Sequence, residues 1–271
     1  MAGGGNVTAV CLLIAVSGTV PGLPLLVAAN RDELYQRPAD PVTVLRAAQP
    51  RILGGRDEVA GGTWLAVNEH GVVAGLTNQP TTPRDPARRS RGELPVRLAS
   101  QPTAARAVEE LLGSTTPGDY NPVWLVVGDR TDLFFIDLCR DGGPAADRLA
   151  PGLHVMENRG LGAPSAKVDR VTGLVGSATA DGTAIWDALP GVLGDHTVPD
   201  GPDGPELPRP PGSPERPPEI RAACVHTDGY GTRSSTLVRV PRSVSARPEV
   251  RVAPGPPCTT AFVDGTALWA R

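Results

Sequence analysis

Cys11-Leu12-Leu13-Ile14-Ala15-Val16 and Leu25-Leu26-Val27-Ala28-Ala29-Asn30-Arg31-Asp32-Glu33 are the two runs that decide how this chain folds. Cys11 to Val16 and Leu25 to Ala29 are short apolar runs separated by a turn-forming stretch from Gly18 to Pro24, a pattern that predicts a β-hairpin. A cysteine heads the first strand. The return strand ends in four consecutive polar residues, with Arg31 and Asp32 at their centre.

Outward from this hairpin the same punctuation recurs. Residues 63–67 and 72–77 flank Asn68 to Gly71, and residues 123–127 and 133–138 flank Gly128-Asp129-Arg130, so two more hairpins are predicted. Helices are predicted over 91–99, 103–112, 165–175 and 183–193, the second capped by Thr103 and stopped by Gly113. Residues 198–218 contain nine prolines, which cannot donate ladder or helix hydrogen bonds, and a mobile loop is expected there. Strands at 221–226, 235–240 and 259–263 follow it. Strands on both sides make that loop an insertion within one domain spanning 11–271, with residues 1–10 a loose tail. Hairpins, then helices, then hairpins predict an α+β fold with antiparallel sheets.

Composition narrows the function. A net charge of -3 over 271 residues leaves no basic footprint for nucleic acid. Lys167 is the one lysine among 26 basic residues, and 30 Pro with 32 Gly point to a GC-rich coding bias, so abundant arginine is not itself a phosphate signal. Cys11, Cys139, Cys224 and Cys258 show no CxxC spacing, and His70, His154, His196 and His226 show no ligand spacing. Free thiols in a cytoplasmic protein are therefore expected, without a metal site or cofactor. The apolar run from Val10 to Val16 lacks a preceding basic residue and is too short to span a membrane, so a soluble protein is expected. Gly54-Gly55-Arg56-Asp57 lacks the Lys-Ser/Thr of a phosphate loop. The sequence carries no signature of oligomeric state.

Around Asn30-Arg31-Asp32-Glu33 stand Gly61-Gly62-Thr63-Trp64, Leu76-Thr77-Asn78, Arg91-Gly92-Glu93 and Tyr230-Gly231-Thr232-Arg233. In this order the five motifs resemble the NRDE protein family, also called the transport and Golgi organisation protein 2 family. The resemblance is dense from Cys11 to about Leu98 and returns at Tyr230 to Thr236. It implies the four-layered αββα sandwich of N-terminal-nucleophile hydrolases. Val73 to Pro80 is also similar to the strand and turn that carry an oxyanion-side asparagine in the bile-salt hydrolase and penicillin V acylase group.

Under that resemblance the residues take defined roles. The thiol of Cys11 would attack a carbonyl, with its own α-amine as general base. Arg31 would lower the thiol pKa and Asp32 would orient the ammonium. Asn78 and Asn158 would stabilise the oxyanion, and Arg233 would close the site. Asn30, Glu33, Trp64, Thr77 and Tyr230 would stand on the substrate side. The substrate would be a small molecule with an amide or acyl group. Because ten residues precede Cys11, its nitrogen is an amide unless the tail is cleaved or translation starts at a GTG codon for Val10. The second route is the expected one.

Each of these residues also has a plainer use. Cys11 can be a buried core residue, Arg31 to Glu33 a surface turn with a capping aspartate, and Gly61 to Trp64 a tight turn with a packed tryptophan. Asn78 and Asn158 can be structural, and Arg91 to Glu93 can begin a helix. Beside the amidase stands a non-catalytic reading, a haem or lipid/acyl-ligand carrier. It requires no free amine at Cys11.

Overall fold

The computed structural model describes residues 11–81, 83–180, 184–208 and 215–270. The tail at 1–10 and the middle of the proline-rich stretch, 209–214, lie outside the described residues. β1 (Leu12–Val20) and β2 (Leu23–Leu34) form the expected hairpin, pairing from Leu12↔Asn30 to Ser17↔Leu25. Its turn passes through Gly22 at φ 77°, a conformation that glycine adopts without steric cost.

Both faces of this hairpin are apolar, and both are covered. Leu12, Ile14, Val16, Leu26 and Ala28 pack with Val171 and Val175 of α3 (Ala166–Ala180) and Trp186, Leu189 and Leu193 of α4 (Ile185–Leu193). Leu13, Ala15, Leu25, Val27 and Ala29 pack instead against Leu53, Leu65, Val67, Val126 and Phe135 of a second sheet. Period-two alternation therefore sends one strand's side chains into two separate cores. Full burial of each large aliphatic side chain contributes about 1.5–3 kcal/mol.

The first sheet has the order β10-β1-β2-β11-β12-β13, with β10 at Gly152–Met156, β11 at Tyr230–Val240, β12 at Glu249–Ala253 and β13 at Val263–Asp264. The second runs β3 (Ala39–Arg46), β4 (Ile52–Asp57), β5 (Leu65–Asn68), β6 (Val73–Asn78), β7 (Val123–Gly128), β8 (Leu133–Asp137) and β9 (Ala145–Arg148) in sequence order. All pairings are antiparallel. α1 (Glu93–Ala99) and α2 (Ala104–Ser114) cover the second sheet through Leu94, Leu98, Ala107 and Leu111. Helices, sheet, sheet, helices: the fold is the α+β, four-layer αββα sandwich.

Thr103 caps α2 by accepting the Arg106 N–H, as the sequence predicts, but the helix runs through Gly113 to Ser114. The strand predicted over 221–226 is absent; a 3-10 turn, Pro218–Arg221, leads into irregular chain. Its polar groups are satisfied elsewhere, the Cys224 N–H by Asp195 O and the Ala223 carbonyl by Asn30 Nδ2. The predicted strand at 259–263 shrinks to Val263–Asp264. β3, β4, β9, β10 and β12 were not read from the sequence. In β4 the cause is visible: Gly54 and Gly55 weaken the strand signal. A Cβ at Gly55 would lie 2.0 Å from the Trp64 indole, so packing dictates the glycine.

The described part of the proline-rich stretch is fastened to the rest of the domain by several hydrogen bonds and ion pairs. Asp203 Oδ1 accepts the Ala166 N–H at 3.0 Å, the Gly204 N–H bonds Pro164 O, and the Pro205 carbonyl accepts from Arg159.

Candidate active site

Cys11 sits immediately before β1, on the edge of a cleft of about 200 Å³ between the two sheets. Because β2 runs antiparallel, its polar end returns to this point, and alternation splits the tetrad. Arg31 faces the second sheet and lays its guanidinium over the Trp64 ring, 4.6 Å from the centroid. Asn30 points to the helical side and donates to Leu193 O at 2.9 Å and Ala223 O at 2.7 Å, which fixes it as a structural brace.

Asp32 is fully buried, and Thr232 Oγ1 on the paired β11 donates to its Oδ1 at 2.6 Å. Its Oδ2 has no hydrogen-bond partner, and neither does Nζ of the buried Lys167 in α3. Burial pushes the Asp32 carboxyl up to about 6, opposed by the Lys167 charge, the Thr232 hydrogen bond and Arg31. Burial likewise pushes the Cys11 thiol up to about 12, assisted by Asp32 and opposed by the Asp32 backbone N–H and by Arg31.

Asn158 holds the nitrogen of Cys11. Its Oδ1 accepts the Cys11 N–H at 2.8 Å, while its Nδ2 donates to Asn78 O at 2.5 Å. One buried amide thus ties the nucleophile candidate to the end of β6. The Nδ2 that could face an oxyanion bonds the Asn78 carbonyl, so Asn158 is placed to orient Cys11. Asn78 itself lines the cleft.

Two glycine motifs build the floor. A Cβ at Gly62 would lie 2.5 Å from the Gly92 backbone, and Gly92 O accepts the Thr63 N–H at 2.8 Å. The Gly61-to-Trp64 and Arg91-to-Glu93 segments therefore clasp each other, backbone to backbone, and this contact sets Trp64 beneath Arg31.

Of the candidates named from sequence, the cleft gathers Cys11, Arg31, Asp32, Glu33, Trp64 and Asn78, with Asn158 directly behind Cys11. Glu33 lies 3.7 Å from Arg37. Thr77 is fully buried on β6, paired with Trp124 of β7, and Tyr230 is buried opposite Leu34; neither lines the cleft. Arg233 is the extra residue of a β-bulge in β11 between Thr232 and Ser234. Its guanidinium turns to the Leu34 and Tyr35 carbonyls instead of the cleft.

Sequence reasoning missed the cleft's other charges. Arg37 is paired with Asp57 at 2.7 Å. Arg84 and Arg91 also line the cleft, and neither forms a salt bridge among the described residues. Burial, and then the neighbouring Arg84 charge, lowers Arg91 to about 10, which leaves it cationic at neutral pH. Arg91 stood in a quoted motif and could have been found there. Lys167 had a fainter signal, a single lysine in a chain that otherwise uses arginine.

Among the described residues no helix is long and apolar enough to cross a membrane. Similar folds occur in a Caenorhabditis elegans N-acylethanolamine-hydrolyzing acid amidase ortholog, at 13% identity and TM-score 0.52, covering 86% of this chain and 94% of that one. A C2A mutant of conjugated bile acid hydrolase from Clostridium perfringens matches at 10% identity and TM-score 0.52, covering 94% and 96%. At such identities the likeness establishes the N-terminal-nucleophile hydrolase fold. The Transport and Golgi organization protein 2 homolog of Homo sapiens is 30% identical over 228 residues, 80% of this chain and 82% of that protein. The Mus musculus homolog is 29% identical over the same shares. The sequence profile of Transport and Golgi organisation 2 matches residues 10–247, beginning one residue before Cys11, and the chain belongs to that family.

Proposed function

We propose that this protein is a cysteine N-terminal-nucleophile hydrolase that opens an amide C–N bond through a Cys11 acyl-enzyme. The observation that carries the reading is the 2.8 Å contact between the Cys11 nitrogen and Asn158 Oδ1, which holds that nitrogen beside the cleft. The active chain begins at Cys11, so that nitrogen is an amine with an ordinary pKa near ~8. A thiol raised to about 12 stays protonated at neutral pH, so the amine takes its proton as sulfur attacks the carbonyl.

The free Oδ2 of Asp32 then accepts from the ammonium. The Asn78 amide faces the developing oxyanion, a donor worth roughly 3 kcal/mol where such groups have been removed. Collapse of the tetrahedral adduct breaks the C–N bond, and the ammonium returns its proton to the departing amine. Water, activated by the same amine, hydrolyses the thioester and restores the thiol. Arg84 and Arg91, two cations without a carboxylate partner among the described residues, suit a substrate that carries a carboxylate or another anion.

A haem or lipid carrier fits this cleft less well. At about 200 Å³ and with several charged groups in its wall, it is smaller and more polar than the usual ligand pocket of roughly 300–1,000 Å³. Incubation with a thiol-reactive acyl probe, followed by intact-mass and peptide mapping, tests the reading. One acyl group on Cys11 of a chain that starts at Cys11 is expected. Full activity from a chain that retains Met1 would overturn it.

A further inference from the structure

On the helical side of β2, away from the cleft, four side chains from three segments converge: His196, the closely spaced Cys224 and His226, and Cys258. Their ligand atoms all lie within 4.8 Å of one another. Cys224 Sγ is 3.8 Å from Cys258 Sγ and 3.6 Å from His226 Nε2, and Cys258 Sγ is 3.4 Å from the same nitrogen. The His196 and His226 rings stand 4.8 Å apart, tilted by 49°.

The three separations among Cys224, His226 and Cys258 match edges of a coordination tetrahedron, with His196 within 4.8 Å to supply the fourth corner. With Zn–S near 2.3 Å and Zn–N near 2.0 Å, tetrahedral geometry gives about 3.8 Å between two sulfurs and about 3.6 Å between sulfur and nitrogen. His196 is also set in the right tautomer. Its Nδ1 lies 3.2 Å from the Cys224 carbonyl, which can only accept, so Nδ1 carries the proton and Nε2 keeps its lone pair. The donor set is two thiols and two imidazoles, the set that favours zinc over hard cations.

We infer that His196, Cys224, His226 and Cys258 form a structural zinc site. Four protein ligands leave no open position, so the ion holds structure and takes no part in turnover. It joins three segments: the chain leaving α4, the irregular stretch around 222–227, and the connection from β12 to β13. The middle segment is the one that braces the nucleophile strand from behind. Ala223 O accepts from Asn30, and the Val225 N–H bonds Thr232 Oγ1, which in turn donates to Asp32. The absence of CxxC and of paired histidines had suggested no metal site; the ligands come instead from three separate loops.

The test uses the full chain, purified under reducing conditions. Elemental analysis should find about one zinc per chain. Replacement by Co²⁺ should give the intense visible bands of a tetrahedral thiolate complex. Cys258→Ser and His196→Gln should each weaken metal binding by roughly a hundredfold or more, while Cys139→Ala, outside the cluster, should not change it. Removal of the metal by a chelator should lower the unfolding midpoint by at least about 5 °C. Because Cys224 is buried, its replacement tests packing as well as metal binding, so the exposed His196 carries the decisive substitution. Wild-type protein with only trace zinc and no tetrahedral cobalt spectrum overturns the proposal. So does a Cys224–Cys258 disulfide in the reduced preparation, or a His196→Gln protein that binds zinc as tightly as wild type.

Discussion

The cleft around Cys11 and the cluster around Cys224 sit on opposite sides of the same strand pair, β2 and β11, and are built in opposite ways. The cleft is assembled from contiguous motifs that alternate along a few strands, so Arg31 and Asp32 reach their positions by being neighbours in sequence. The cluster is assembled from three loops, which supply His196, the Cys224/His226 pair and Cys258. Thr232 links them, donating to Asp32 while accepting the Val225 N–H. A site that does chemistry must place several groups to within fractions of an ångström, and short segments on rigid strands do this well. A site proposed only to fasten loops has to span distance, and residues scattered along the chain suit that task.

The sharpest way to separate the two regions is to remove Cys11. Cys11→Ala should abolish turnover, because the thiol enters the reaction, while leaving the metal content of the cluster and the thermal midpoint close to wild type. Cys11→Ser should retain at most a trace. Wild-type rates in Cys11→Ala would end the enzyme reading and leave the carrier.

Next in size are Arg84 and Arg91, cleft cations with no salt bridge among the described residues. Arg91→Ala or Arg84→Ala should raise KM for an anionic amide by about ten- to a hundredfold, the loss of one charged hydrogen bond. For a neutral amide the same variants should have little effect. Equal losses on both substrates would show that the arginines support the fold of the cleft and recognise no anion.

The pH profile sharpens the comparison from the β2 side. In the proposed mechanism Asp32 is ionised when it holds the ammonium, so kcat/KM should fall below about pH 6. Lys167 lowers that carboxyl, and Lys167→Met should therefore move the acid limb to higher pH. Stability has the opposite sign. The folded state binds the Asp32 proton more tightly than the unfolded chain, so Asp32 contributes stability at low pH that is lost as pH rises through about 6. Asp32→Asn should flatten the urea-unfolding free energy across that window; an unchanged slope would place the group outside the buried environment described above.

The smallest expected effect belongs to Arg31. Its charge lowers the Cys11 thiol, although burial dominates, so Arg31→Ala should shift the activity profile modestly to higher pH. Because the guanidinium also lies over Trp64, a matching change in indole fluorescence should accompany it.

Read alone, the sequence determined the hairpin of β1 and β2, the hairpins of β5/β6 and β7/β8, all four helices to within a few residues, and the convergence of Cys11 with the Arg31-Asp32 pair. These are signals of short range: apolar alternation, turn residues and a capping threonine act within a few positions, and antiparallel pairing carries a strand's end back to its partner's start. The tertiary structure alone decided the rest. Gly54 and Gly55 read as a break in a strand until the Leu65 carbonyl and the Trp64 indole are seen to occupy the space of their missing side chains. Asn158 becomes the keeper of the Cys11 nitrogen only because β10 pairs with β1. Arg233 turns from the cleft at a β-bulge, and Arg84 reaches the cleft from the segment that follows β6. Lys167 comes within electrostatic reach of Asp32, and Cys224 comes to 3.8 Å from Cys258, through spacing that no local pattern encodes. Contacts between residues far apart in the chain depend on the summed geometry of all the elements between them, and that geometry exists only once both cores have closed.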